Sequence, residues 1–126
     1  MHSVMKLGVD IIEIDRIRRA LENSGDAFSE RVLTLSERAT LNPVQENTAR
    51  FAGIWAAKEA AVKALGSGFR HGIAFHDIEI RHDESGCPFY HFSGAFSRLA
   101  MELNIQSATL SISHCAAYAV AVAALI

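Results

Sequence analysis

Cysteine and proline are scarce in this chain, with two of each in 126 residues. Cys87 and Cys115 are too few and too unpatterned for a disulfide framework or a zinc site, which fits a reducing compartment and a cytoplasmic protein. So little proline, in a chain that is 50% hydrophobic, points to an ordered globular protein. There is also no excess of charge of one sign. The net charge of -2 gives nucleic acid or an anionic membrane no reason to be the main partner. Long hydrophobic runs are missing too. The apolar stretch from Ala116 to Ile126 falls far short of the roughly 20 residues a spanning helix needs. Lys6 and Gly8 interrupt the start of the chain, so it lacks a signal-peptide layout. Without linker, repeat or low-complexity tract, residues 1–126 are expected to form one domain.

What is present alternates between strand and helix patterns. From Val4 to Ile12, Met5, Leu7, Val9 and Ile11 fall on one side and Lys6, Gly8 and Asp10 on the other. This predicts a half-buried strand with Asp10 near its end on the polar side. Ile14, Ile17 and Leu21 then recur at helical spacing until Ser24-Gly25. Phe28 and Val32 mark a short second helix, and Thr34-Leu-Ser-Glu37 carries a capping box for a third. Asn42-Pro43 breaks that helix, and a polar loop follows through Asn47. A long helix is expected over about Thr48 to Leu65, stopped by Gly66. Ile78–Arg81 and Phe89–Phe92 read as strands joined through the turn-rich Asp83–Gly86. Phe96, Leu99, Ala100 and Leu103 outline a further amphipathic helix. Thr109–Ser113 and Tyr118–Leu125 read as a closing hairpin. The expectation is a compact α+β domain with an antiparallel sheet and a long central helix.

That long helix carries the sharpest signal. Trp55, Glu59 and Lys63 recur every fourth residue, so ring, carboxylate and ammonium lie in one stripe that points to Gly66-Ser67-Gly68. A carboxylate holds a hard cation, a lysine holds phosphate, and a glycine turn admits an anion to backbone N–H groups. Taken alone, Glu59 and Lys63 form an ordinary surface pair. Their setting among alanines, beside a Gly-Ser-Gly turn, favours chemistry on a metal-bound phosphate ester. Asp10 lies in a β-branched strand that disfavours aspartate, and it acquires meaning as a partner for Glu59. Two carboxylates without a His or Cys set suit Mg²⁺ better than zinc.

The other polar residues have plainer readings. His114, in Ser111-Ile-Ser-His114, sits at a hairpin bend as a turn residue or a donor to phosphate. His2, His71, His76, His82 and His91 have no metal-ligand spacing and read as surface or packing residues. Trp55 reads as core. Arg16, Arg18 and Arg19 cluster on the exposed side of the first helix, as a solvated face or as a dock for an acidic partner.

These motifs together resemble a known family. Gly8-Val-Asp10-Ile-Ile-Glu13, then Trp55-Ala-Ala-Lys58-Glu59-Ala-Ala-Val-Lys63-Ala-Leu-Gly66-Ser67-Gly68, then Ser111-Ile-Ser-His114 with Tyr118-Ala are similar to the small bacterial 4′-phosphopantetheinyl transferases, the holo-[acyl-carrier-protein] synthases. Glu30-Arg-Val-Leu-Thr34 and Glu37 resemble that family's linking segment. The resemblance implies a pseudo-twofold α+β unit, assembled as a homotrimer with sites between subunits. It implies transfer of phosphopantetheine from coenzyme A to a serine of apo acyl carrier protein, releasing adenosine 3′,5′-bisphosphate. By position, Asp10 and Glu59 would be Mg²⁺ ligands, with Glu59 and Lys63 catalytic and Lys63 on the pyrophosphate. Gly66 and Ser67 would line the coenzyme A site, and His114 would approach the adenosine phosphate end. Arg16 and Arg19 would face the carrier protein. Ile54 stands where the family often has arginine, which leaves Arg50 or Lys58 to take up that phosphate contact. Cys115-Ala-Ala117 likewise replaces commonly polar residues. The alternative is a catalytically silent coenzyme A- or nucleotide-binding trimer. Transferases of the surfactin type, about twice as long with two halves fused, do not fit this length.

Overall fold

The computed structural model describes residues 4–126, so His2 lies outside the described residues. Strand β1 (Lys6–Glu13) leads directly into α1 (Ile14–Ser24), whose Ile14, Ile17 and Leu21 are buried as their spacing predicts. Gly25 ends α1 at φ 53°, and α2 (Asp26–Val32) follows with Phe28 and Val32 inward. The capping box forms. Thr34 caps α3 (Leu35–Leu41), with the Glu37 amide donating to Thr34 Oγ1 at 3.2 Å and the Thr34 amide donating to Glu37 Oε1 at 2.9 Å. A 3₁₀ turn (Val44–Glu46) leads into α4 (Thr48–Leu65), which matches the expected span. A second 3₁₀ turn (Phe75–Asp77) precedes the hairpin of β2 (Ile78–His82) and β3 (Pro88–Phe92). Helix α5 (Gly94–Glu102) and the hairpin of β4 (Ala108–His114) and β5 (Tyr118–Leu125) complete the chain.

The strands form two antiparallel sheets, one in the order β1-β5-β4 and the other pairing β2 with β3. Helix α4 lies against the three-stranded sheet. Small residues make the approach close. A Cβ on Gly8 would fall on the Ala60 carbonyl oxygen and 2.6 Å from the Ala64 amide nitrogen, and one on Gly53 would come within 2.9 Å of Ile112 Cγ2. Ala119, Ala121, Ala123 and Leu125 of β5 are buried, so the C-terminal strand is core, as expected. On the other side, Trp55 lies between Phe28 and Phe75, with ring centroids 6.0 and 5.0 Å away. That confirms Trp55 as a packing residue.

The strand at the start of the chain is half-buried, but with its faces reversed. The Gly8, Asp10 and Ile12 side packs toward α4, while Leu7, Val9 and Ile11 are 64%, 56% and 65% exposed. Glycine at position 8 explains the reversal. Only a residue without a side chain can lie against the α4 backbone, so the side with little apolar volume goes inward. The larger side chains are left on the outer face, where Val9 and its cross-strand neighbour Val122 are both exposed.

Candidate active site

Asp10 sits in the middle of β1 on the face toward α4, and its side chain is only 12% exposed. The close approach at Gly8 sets this strand against the helix turns that carry Glu59 and Lys63. Lys63 Nζ donates to Asp10 Oδ1 at 2.8 Å and to the Val9 carbonyl at 3.3 Å. The lysine side chain remains 53% exposed, so its ammonium rests on Asp10 from the solvent side. Glu59, one helical turn before Lys63, is half-buried. Burial raises its carboxyl above the usual range and the Asp10 charge raises it further, while Lys63 pulls the other way. The structure thus brings together Asp10, Glu59 and Lys63, which are far apart in sequence.

Two carboxylates that repel each other, with a half-exposed ammonium resting on one of them, fit a divalent metal. Mg²⁺ takes one or two carboxylates and fills its other positions with water and substrate phosphate. Among the described residues no cluster of three or more His, Cys, Asp or Glu side chains forms a fuller cage. Asp10 and Glu59 are the residues that would hold the ion.

Gly66 and Ser67 close α4 as the stop signal predicts. Gly66 adopts φ 81°, and the amides of Gly66 and Ser67 both turn back to the Val62 carbonyl, at 3.0 and 3.2 Å. Those two N–H groups are therefore spent on the helix end and are not free for an anion. What the turn offers a ligand is an open backbone without bulk.

His114 lies elsewhere. It is the last residue of β4, paired across the strand with Ala119, and it lines a cavity of about 230 Å³ with Arg50, Ile54 and His82. Asp10, Glu59 and Lys63 do not line that cavity. Within one chain the predicted site therefore falls into two parts: a carboxylate–lysine centre, and a cavity with one arginine and two histidines in its wall.

Lys58 corrects an expectation. It is not a phosphate contact, because it is 0% exposed and donates to Glu37 Oε1 and the Val32 carbonyl, both at 2.7 Å. A buried ammonium has no route to a ligand, which leaves Arg50 as the basic residue one helical turn from Ile54. The Lys58–Glu37 pair is the feature that motif reading missed. Two signals pointed to it: a lysine embedded in an otherwise apolar helix, and a capping-box glutamate with a second oxygen to satisfy.

Comparison with known proteins gives this arrangement a context. Residues 6–123 match the sequence model of the 4′-phosphopantetheinyl transferase superfamily. This chain belongs to that family. Within the family, the holo-[acyl-carrier-protein] synthase of Solidesulfovibrio magneticus is 48% identical over 108 residues, covering 86% of each chain. The fold agrees equally well. The holo-[acyl-carrier-protein] synthase of Neisseria meningitidis superposes with a TM-score of 0.88 at 32% identity, covering 96% of this chain and 97% of its own. The Helicobacter pylori member of the family, solved in complex with coenzyme A, gives 0.85 at 33% identity, covering 95% and 99%.

Proposed function

We propose that this chain transfers 4′-phosphopantetheine from coenzyme A to a serine of apo acyl carrier protein, releasing adenosine 3′,5′-bisphosphate. The observation that carries this is the Asp10–Glu59–Lys63 cluster, in a chain of this family over almost its whole length. Mg²⁺ held by Asp10 and Glu59 would supply neutralisation of charge on the pyrophosphate oxygens. Lys63 is long and half-exposed, so it can leave Asp10 and bind the oxygen on which leaving-group charge develops. The serine proton would pass either to Glu59, half-buried beside Asp10, or to a water at the site. Gly66 and Ser67 leave an open passage beside Lys63, and Arg50 and His114 provide donors for the adenosine phosphate end.

A homotrimer fits this reading. The outer face of β1 and β5, with Leu7, Val9, Ile11 and Val122 exposed, is the kind of apolar patch that a neighbouring subunit covers. Assembly would also let the cavity of one subunit complete the carboxylate centre of another. The number three comes from the family resemblance. The carrier protein is acidic around its serine, and Arg16 and Arg19 on α1, just beyond β1, offer it a basic face. Free, exposed Cys87 and Cys115 suit a reducing compartment, and we place the reaction in the cytoplasm, in fatty-acid synthesis.

The test is incubation with coenzyme A, Mg²⁺ and an apo carrier protein, followed by mass spectrometry of the carrier. A gain of one phosphopantetheine on the serine is expected. An unmodified carrier would refute the proposal, and omission of Mg²⁺ should abolish the gain.

A further inference from the structure

Helix α4 is buried nearly all round. Phe51, Ile54, Ala57, Ala60, Val62 and Leu65 lie on different sides of it, and only a few positions reach solvent. Its polar contacts with other elements are few: Lys63 reaches Asp10 and the Val9 carbonyl, Tyr90 donates to the Ala57 carbonyl, and Lys58 donates to three acceptors. The chemistry tolerates little rotation of the helix. A side-chain tip about 5–6 Å from the helix axis moves ~2 Å when the helix turns by ~20°. Glu59 would then lose its alignment with Asp10.

Among these contacts Lys63 is half-exposed, whereas Lys58 is the fully buried anchor. Its ammonium donates to the Val32 carbonyl at the end of α2, to Glu37 Oε1 on α3 and to the Phe75 carbonyl, at 2.7, 2.7 and 3.2 Å. Three N–H groups thus meet three acceptors. Glu37 is anchored in turn by the Thr34 amide at 2.9 Å and, through Oε2, by the Ile80 amide of β2 at 2.7 Å. One buried ion pair therefore ties α4 to four other segments, at the residue immediately before Glu59.

We propose that the Lys58–Glu37 pair is a positioning element of the active site, setting the rotation of α4 and with it the alignment of Glu59 with Asp10. This rests on the transferase reading above. Kinetics separate it from a purely structural role. Burying two ions costs about as much as their attraction returns, and an apolar pair of similar volume would also leave the Val32 and Phe75 carbonyls and the Thr34 and Ile80 amides without partners. What an apolar pair lacks is direction.

The test uses that difference. In the double variant Lys58→Met, Glu37→Leu, four backbone groups lose their partners, so the melting temperature should fall, while the KM of the folded protein for coenzyme A should stay within about twofold. The kcat should fall about 10–100-fold, the cost of a misplacement on the ångström scale. A crystal structure of the variant should show the Glu59 carboxylate displaced relative to Asp10. A parent-like kcat, or Glu59 in its original place, overturns the proposal. If the double variant does not fold, Glu37→Asp keeps the charge but shortens its reach. It should show the same split between kcat and KM, and unchanged kcat overturns the proposal there too. The position of Glu59 is read without any assay. A parent protein that fails to modify the carrier would therefore sink the transferase reading, whereas an undisturbed Glu59 sinks the positioning role.

Discussion

The Lys63 ammonium stands 2.8 Å from the Asp10 carboxylate, across 53 residues of sequence. It holds the aspartate while Glu59, close by, binds its proton more tightly than usual. Asp10→Ala and Glu59→Ala should each nearly abolish transfer, with thermal unfolding little changed. Lys63→Ala should lower kcat by about 10²–10³-fold, as loss of one donor to developing charge does in other enzymes. Mass spectrometry of the carrier reads all three, and near-normal turnover in any purified variant contradicts its assigned role.

Gly8 is where strand and helix backbones touch. Gly8→Ala would drive a methyl group into the Ala60 carbonyl, and the strand would have to lift. Urea unfolding should show a loss of about 1–3 kcal/mol. Activity should fall as well, since Asp10 travels with the strand. A variant as stable and active as the parent would show that the contact relaxes freely.

The outer face of the sheet offers a test of assembly. Val9 and Val122 are cross-strand neighbours and both are exposed. A carboxylate at that spot cannot be buried against another subunit without large cost. Val9→Asp should therefore yield monomers in sedimentation equilibrium, with loss of transfer. A parent protein that sediments as a fully active monomer would rule out shared sites.

Arg50 and His114 share the cavity wall with His82. Arg50→Ala and His114→Ala should each raise the KM for coenzyme A, by about tenfold for a lost charged hydrogen bond. Neither should do so for 3′-dephospho-coenzyme A. Equal effects on both substrates would place the 3′-phosphate elsewhere.

On α1, Asp15 engages Arg18 at 2.8 Å and Arg19 at 3.2 Å, so Arg16 is the more available of the two proposed docking residues. Arg16→Glu with Arg19→Glu should raise the KM for apo carrier protein and flatten its salt dependence, leaving the KM for coenzyme A nearly constant. No change at low salt would mean that α1 is a solvated face.

Local signals were read well from sequence wherever the chain announces them. Thr34 and Glu37, Gly25 and Gly66 each mark a helix end through chemistry confined to one turn, and the helices stop where these residues say. The carboxylate–lysine centre was legible for a similar reason: Glu59 and Lys63 share one helix face, and Asp10 is a conspicuous aspartate in a β-branched strand. Alternation in β1 gave the strand but not its inward face. That depends on Gly8 fitting the α4 backbone, a tertiary fact with no local trace. The apolar setting of Lys58 hinted at burial, but its partner Glu37 comes from another helix, 21 residues away, and local pattern does not pair them. His114 stood next to its motif, but its distance from the carboxylates follows from strand order, which puts β5 between β1 and β4.

Leu7, Val9 and Ile11 on the open side of β1 carry a further consequence, which concerns abundance. In the proposed assembly those residues are covered by another copy of the chain, so part of its stability would come from mass action, and dilution would weaken both the fold and the catalyst. Newly made copies would then pass through a period in which an apolar strand face is uncovered. Crowding by unrelated proteins does little to help at that stage. The yield of working protein should therefore rise more steeply than the amount synthesised when expression is low.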